Sequence, residues 1–288
     1  MKNYRSRIAD EILKRKLEGK GAVVIEGPKW CGKTTTAEQI ARSVLYMDDP
    51  TSRKGNVIVS ETNPKQLLVG KTPRLIDEWQ IAPKLWDAIR FEVDHRGEFG
   101  QFILTGSATP VSSKDITHSG TGRFAWLTMR TMSLYESGDS SGSVSLKDLF
   151  EGKKKIAGYS NLTFERLAFL VCRGGWPQAI DTRDEIALEQ AMDYYEAVVR
   201  SDINRADNTE KNPDRVRRLM RSYAKNQGTQ VPNTTLVKDL IGHDEGSFNE
   251  ETVANYLKAL RRIFVIEDMP AWNPHLRSKT AIRSSDTR

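Results

Sequence analysis

An eight-residue stretch, Gly27 to Thr34, restricts the fold of this chain more than any other feature. Its sequence, GPKWCGKT, matches the pattern G-x-x-x-x-G-K-[ST]. Glycines let the backbone curl so that successive N–H groups point at phosphate oxygens. Lys33 brings a positive charge to the β- and γ-phosphates, and the Thr34 hydroxyl is a Mg²⁺ ligand. The pattern predicts phosphate contacts along the loop and just after it, at Gly27, Pro28, Lys29, Trp30, Cys31, Gly32, Lys33, Thr34 and Thr35.

The residues on both sides of this loop have the periodicity that it requires. Before it, the apolar run from Ala22 to Ile25 is typical of a buried parallel strand. After it, apolar residues recur with the spacing of an amphipathic helix, at Ala37, Ile40, Ala41 and Val44. The alternative, a fortuitous glycine turn, is disfavoured because strand, loop and helix occur in the expected order.

A second short segment, Arg74 to Glu78, is apolar and then acidic. Behind a phosphate-binding loop, such a strand is expected to end in a metal ligand. Asp77 is predicted to hold Mg²⁺ through its water shell, and Glu78 to polarise the attacking water as a general base. Taken alone, the segment also fits the solvated end of an ordinary strand.

A third strand is predicted over Gln101 to Leu104, and it runs into Thr105, Gly106 and Ser107. In nucleotidases with an extra strand between the two motif strands, the end of that strand carries a polar residue near the γ-phosphate. Ser107 is the first candidate and Thr105 the second. A plain turn explains either residue equally well.

Composition predicts a cytoplasmic protein. The chain has 288 residues, of which 38% are hydrophobic, with a net charge of +6. No apolar run approaches the ~20 residues of a membrane span, and the N-terminus lacks the apolar region of a signal peptide. Two cysteines are too few for a disulfide framework or a zinc site. We therefore expect no membrane partner.

Alternating strand and helix signals predict an α/β core with a five-stranded, mostly parallel sheet covered on both faces. The predicted strands are 22–26, 44–48, 74–77, 101–105 and 124–129. A Gly/Ser-rich stretch from Ser137 to Ser143 marks the best boundary. The predicted domains are an ATPase core over 1–137, a linker and helical lid over 138–205, a winged helix over 206–270 and a tail over 271–288.

The region 206–270 has three helical segments and then a β-like segment, Ile263 to Glu267. This is the element order of a winged helix, and Lys258, Arg261 and Arg262 lie on one face of its third helix. The basic face predicts contact with double-stranded DNA. A helical lid with a solvated charged face, or a surface for a protein partner, remains the alternative.

Six segments in this order resemble one family: GPKWCGKT, LIDEWQ, FILTGSA, GRFAWLTMRTMSLYESG, RGGWP and RIFVIEDMPAWNP. The chain closely resembles prokaryotic AAA-type P-loop ATPases that carry a C-terminal domain of unknown function, and the likeness covers about residues 5 to 288. It implies that Lys33 and Thr34 bind ATP and Mg²⁺, and that Asp77 and Glu78 are the Walker B pair. Arg123 then corresponds to an arginine that reaches the γ-phosphate in cis or across an interface, for example in a homo-oligomer.

Members of that family generally continue into a restriction-endonuclease-like domain, which has no equivalent in the sequence up to Arg288. Nuclease activity is therefore not expected. The resemblance and the motifs predict a Mg²⁺-dependent ATPase that acts as a motor or switch on DNA or a partner protein. The alternative is a nucleotide-dependent DNA- or protein-binding module with negligible hydrolysis, and Glu78 argues against it because a pure switch has little need of a general base.

Overall fold

The structure is a computed structural model that describes residues 4–106, 120–153, 155–241, 249–270 and 285–287. The chain forms two compact units, Met1–Asp193 and Tyr194–Arg288, whereas the sequence predicts boundaries after residues 137, 205 and 270. The strands of the first unit are β1 (Ala22–Glu26), β2 (Ser43–Tyr46), β3 (Arg74–Asp77), β4 (Phe102–Gly106) and β5 (Phe124–Thr128). Its helices are α1 (Ile8–Gly19), α2 (Lys33–Glu38), α3 (Arg53–Thr62), α4 (Leu85–Arg96), α5 (Leu146–Phe150), α6 (Phe164–Arg173), α7 (Pro177–Ile180) and α8 (Asp184–Ala197), the last of which ends in the second unit.

The five strands form one parallel sheet in the order β2-β3-β4-β1-β5. The prediction of five strands is confirmed, each within one or two residues of its expected bounds. The predicted extra strand is also confirmed, because β4 lies between β1, which precedes the phosphate loop, and β3, which ends in Asp77. Since all strands run the same way, the phosphate loop after β1, Asp77 at the end of β3 and the end of β4 lie at the same edge of the sheet.

Alternate residues of the strands feed two cores on opposite faces of the sheet. One core contains Val24, Ile76 and Leu104 and packs under α4, together with Trp79 and Trp86. The other contains Val23, Ile25, Leu75 and Ile103 and packs under α1 and α2. Burial on both faces explains why these strands are continuous apolar runs.

The stretch after β5 is tied to the turn that precedes α7. The amide of Met132 donates to the carbonyl of Gly175 over 2.7 Å, and a Cβ at Gly175 would lie 2.1 Å from the Met132 carbonyl oxygen. The buried Arg173 guanidinium pairs with Asp139 at 2.9 Å. This turn therefore has a structural role, and it delivers Pro177 to the edge of the sheet that carries the phosphate loop.

The second unit contains mostly helices. They are α9 (Ile203–Arg205), α10 (Pro213–Lys225), α11 (Asn233–Ile241) and α12 (Glu250–Arg262), followed by the antiparallel pair β6 (Asp268–Pro270) and β7 (Ser285–Thr287). None of the helices that the structure describes is both long and apolar enough to cross a membrane.

The predicted strand over Ile263 to Glu267 is wrong. The chain turns here instead, because Phe264 adopts a left-handed backbone with φ of 59°. The amides of Phe264 and Val265 donate back to Arg261 and Leu260 and close the end of α12. The strand begins only at Asp268. Hydrophobic character alone therefore predicts the strand at the wrong place in the sequence.

Candidate nucleotide-binding site

The loop between β1 and α2 has the backbone curvature that its glycines predict. Gly27 and Gly32 have φ of 149° and 98°, and Trp30 between them is also left-handed at 63°. A Cβ on Gly27 would lie only 2.0 Å from the carbonyl oxygen of Met129. Glycine is therefore required at position 27 both for its conformation and for its closeness to the segment that follows β5.

Lys33 begins α2 and its side chain returns across the loop. Its Nζ donates to the carbonyls of Gly27 at 3.0 Å and Pro28 at 2.7 Å. Burial lowers the pKa of Lys33, while the nearby carboxylates of Glu78 and Asp77 act in the opposite direction. The ammonium group is therefore held over the loop by neutral carbonyls, and an anionic partner would stabilise it better.

Asp77 ends β3 and accepts two hydroxyl groups on the same oxygen. Thr34 Oγ1 donates to Asp77 Oδ1 over 2.7 Å, and Thr105 Oγ1 donates to it as well. The sheet register explains the second contact, because Thr105 pairs with Asp77 on one side and with Ile25 on the other. Burial raises the pKa of Asp77 more than the two hydroxyl groups lower it.

The residues around Asp77 fit a Mg²⁺ ion. Mg²⁺ in nucleotide sites is held by one or two protein oxygens and completes its shell with water and phosphate. Thr34 and Asp77 supply a hydroxyl and a carboxylate in direct contact, and a nearby cation would offset the unfavourable burial of the Asp77 charge.

Glu78 stands at a sharp turn directly after Asp77. Its backbone is left-handed, with φ of 53°, a conformation that costs free energy in a residue with a Cβ and that clusters at functional sites. The side-chain amide of Gln80 donates to Glu78 Oε2. Turn and amide together orient the carboxylate toward the pocket that it lines.

These groups open on one pocket of about 520 Å³. Its walls are Lys29, Trp30, Gly32, Lys33, Thr34, Thr35, Asp48, Glu78, Ile81, Pro177 and Gln178. Sequence reasoning missed Asp48, Ile81, Pro177 and Gln178, and only the acidic pair after β2 could have drawn attention to Asp48. Gly27 and Pro28 contribute carbonyls to Lys33, and Cys31 is buried with its thiol toward the Met129 carbonyl.

The structure does not bring Arg123 to this pocket. Arg123 precedes β5, and its carbonyl accepts the amide of Ala22, the first residue of β1. It therefore lies at the amino edge of the sheet, a full strand length from the phosphate loop, and pairs with Asp94 at 2.7 Å. A role in cis is wrong, and a role across an interface stays a prediction. Ser107 lies outside the described residues, whereas Thr105 is at the site through Asp77.

Two family profiles match separate parts of the chain. Residues 19–138 match an AAA domain, and residues 164–287 match a domain of unknown function, DUF8612. The first match spans the whole parallel sheet with the phosphate loop and Asp77–Glu78. No curated protein matches the chain. The second match does not describe a restriction-endonuclease-like domain, so that part of the resemblance stays a prediction.

Among solved structures, the Walker-type ATPase PABY2304 of Pyrococcus abyssi has a TM-score of 0.57 at 12% identity, over 92% of this chain and 91% of that chain. The ADP complex of the FIGL-1 AAA domain scores 0.32 at 14% identity, over 96% and 87%. Drosophila ORC bound to DNA scores 0.26 at 13% identity, over 92% and 80%. The last two scores are too low to carry an argument, and the first shows the fold alone.

The parallel sheet and the AAA match over residues 19–138 define the class of the first unit, which has an α/β fold of the P-loop NTPase type. The predicted α/β fold class is confirmed.

Proposed function

We propose that the first unit binds ATP together with Mg²⁺ in the 520 Å³ pocket and hydrolyses it. The observation that carries the proposal is the contact of Thr34 with Asp77 beside the phosphate loop. Thr34 lines the pocket together with Lys33 and Glu78. These four side chains are the set that a phosphoryl-transfer site needs for charge, metal and water.

Each residue has a task that follows from its position. Backbone amides of the loop bind the phosphates, and Lys33 exchanges its carbonyl contacts for phosphate oxygens. Their negative charge offsets the effect of the burial that lowers the pKa of Lys33. Thr34 and Asp77 would hold Mg²⁺, which neutralises phosphate charge when it is bound. Adenine as the base follows from the family resemblance and not from contacts within the pocket.

The proposal that the bound ATP is hydrolysed depends on Glu78. A carboxylate next to the metal ligand is placed to accept a proton from the attacking water. The Gln80 amide supports this role, because its hydrogen bond to Glu78 Oε2 helps to hold the carboxylate beside the phosphate loop. A binding module without hydrolysis would not require this constrained turn.

Replacement of Lys33 tests nucleotide binding. Lys33→Ala is expected to abolish measurable ATP binding in a calorimetric titration with Mg²⁺, because the phosphates lose their charge partner. Lys20→Ala is the matched control, since Lys20 contacts the Gly122 carbonyl at the opposite edge of the sheet. Unchanged ATP affinity in a folded Lys33→Ala protein contradicts the assignment.

A second candidate concerns the second unit, for which we propose contact with double-stranded DNA. The order of three helices and an antiparallel strand pair supports a winged helix. Lys258 on α12 is exposed, and so are Arg221 and Lys225 on α10. Arg261 and Arg262, however, are engaged within the unit by Asp268 and by the Ala206 carbonyl. A protein partner for this surface is the competing outcome.

A further inference from the structure

An arginine before the first helix reaches the phosphate loop from the protein interior. The Arg7 side chain is only 5% exposed. Its Nη1 donates to the Cys31 carbonyl at 2.8 Å and its Nη2 to the Arg130 carbonyl at 2.9 Å. Nε donates to Glu136 Oε1 at 3.0 Å. One planar group thus joins three segments that are far apart in the sequence.

The geometry of the peptide bond gives the Cys31 contact a consequence for ligand binding. In a trans peptide the C=O and the following N–H point in opposite directions. The carbonyl of Cys31 is fixed on the side of Arg7, so the amide of Gly32 faces away from Arg7. Gly32 lines the 520 Å³ pocket and Arg7 is not among the residues that line it.

We infer that Arg7 is a positioning residue of the phosphate site: it orients the Cys31–Gly32 peptide so that the Gly32 N–H is presented to a nucleotide phosphate. This inference rests on the proposed nucleotide site. Gly32, with φ of 98°, has a backbone that can rotate at low cost, so an external hydrogen bond is needed to keep the peptide in one orientation.

Arg7 is itself firmly placed. Its amide donates to Asp10 Oδ2 at 2.8 Å, which fixes it at the start of α1. Glu136 accepts not only Arg7 Nε but also the amides of Ile8 and Ser133, each at 2.8 Å. A lysine at position 7 would keep the charge but lose the planar fork that bonds both carbonyls and Glu136 together. The fork, and not the charge, is what the inference requires.

Selective labelling isolates the peptide in question. Cys31–Gly32 is the only Cys-Gly pair in the sequence, so ¹³C-carbonyl cysteine combined with ¹⁵N glycine gives a single amide signal in the full chain. In the wild type, saturating Mg-ADP is expected to move the proton of this signal downfield, because the amide then donates to phosphate. In Arg7→Ala we expect ADP affinity at least about tenfold weaker, the loss of a charge-assisted hydrogen bond, and a clearly smaller shift at saturation.

The controls separate positioning from stability. Arg74→Ala also removes an arginine from a backbone carbonyl, that of Leu67 at 2.9 Å, at the opposite edge of the sheet. It should lower stability while leaving ADP affinity and the Gly32 shift at wild-type values. If Arg7→Ala does not fold, Arg7→Lys replaces it with the same two readouts, and the same loss of affinity and of shift is expected because lysine lacks the planar fork.

Three results overturn the inference. One is a folded Arg7 variant with wild-type ADP affinity and a wild-type shift of the Gly32 amide. Another is an equal loss of affinity in Arg7→Ala and Arg74→Ala, which would reduce Arg7 to a stabilising residue. If the wild type itself binds no ADP, the proposed function fails along with the inference, whereas the first two results leave that function standing.

Discussion

Asp77 lies beside the phosphate loop, and its ionised carboxylate lowers the stability of the folded protein. Its carboxylate is buried, and burial raises its pKa despite the hydrogen bonds from Thr105 and Thr34. When burial raises the pKa of a carboxyl group in the folded state, the folded state loses stability as pH rises through that pKa. The reason is that the ionised carboxylate is poorly solvated in the folded protein. The free protein therefore loses stability at neutral pH by keeping a buried carboxylate at the position where we propose that Mg²⁺ binds.

Asp77→Asn is expected to raise the thermal midpoint of the metal-free protein by a few degrees at pH 7. The amide oxygen can still accept the Thr34 and Thr105 hydroxyl groups, and no charge remains to be desolvated. The gain should shrink as pH falls toward 3.8, the usual pKa of an aspartate, because the wild-type group is then protonated as well. Melting curves in EDTA at several pH values measure this gain in thermal midpoint. In the presence of ADP, Asp77→Asn should no longer bind Mg²⁺.

Asp49→Asn is a control with the opposite expected sign. Hydrogen bonds from the Thr51 amide and hydroxyl lower the pKa of Asp49, so its ionised form favours folding above its usual pKa. Equal melting behaviour of Asp77→Asn and wild type at every pH would contradict the burial argument.

At the residue scale, the sequence was most informative where chemistry is local. Lys33, Thr34, Asp77 and Glu78 lie in short motifs, and the structure brings all four to one site. Arg7 could not be found in this way, because its contact with Cys31 joins residues that no local pattern relates. The resemblance predicts Arg123 near the phosphates, but the residue lies just before the start of β5, and the length of the strand separates it from the loop.

At the scale of elements, the site is built on one strand–loop–helix motif, which consists of β1, the phosphate loop and α2. The loop leaves the central part of the sheet, and β3 and β4 end beside it. Close packing behind the loop is as important as the groups that face the pocket, since Gly27 contacts the backbone after β5.

Gly27→Ala should lower the free energy of unfolding by roughly 1–3 kcal/mol and weaken ADP binding strongly, through strain and the clash with Met129. Gly55→Ala is the matched control: it lies within α3 with nothing within 4 Å of its added methyl group, and it should stabilise the protein by about 0.5–1 kcal/mol. Urea unfolding and ADP titration measure both. A tolerated Gly27→Ala would show that the loop does not need this close approach.

Elements were predicted well where both faces are buried and less well where a turn interrupts an apolar run. The strands of the parallel sheet read as apolar runs because helices cover them on both sides. The run from Ile263 looks like a further strand, yet Phe264 turns it, since the end of α12 uses the amides of Phe264 and Val265. Hydrogen bonding at a helix end is not visible in hydrophobicity.

At the scale of the whole molecule, the two family matches and the two compact units divide the chain at different residues. The AAA match ends at residue 138 and the second match begins at 164. The segment between them lies in the first unit, and its Asp139 pairs with Arg173, which lies within the second match but also in the first unit. The predicted domain boundaries remain predictions, and so does a homo-oligomer in which Arg123 acts across an interface.

Salt-dependent binding tests the DNA proposal for the second unit. If exposed lysines contact phosphates, log K should fall steeply with log[salt], and Lys258→Ala should flatten that slope by roughly one unit. Arg261→Ala is the comparison, because Arg261 is paired with Asp268 and should affect stability more than slope. Anisotropy titrations of duplex DNA at two salt concentrations measure this. No binding by the wild type at ~100 mM salt or below would assign the surface to a protein partner.

Single-turnover hydrolysis of ATP by Glu78→Gln tests whether Glu78 is the general base. We expect wild-type ATP affinity and a rate constant lower by ~10²-fold or more, because the amide still accepts from water but cannot take its proton. Glu61→Gln, which removes a half-exposed carboxylate paired with Lys84, should hydrolyse ATP at the wild-type rate. If Glu78→Gln hydrolyses ATP as fast as the wild type, Glu78 is not the base and the proposed mechanism is wrong.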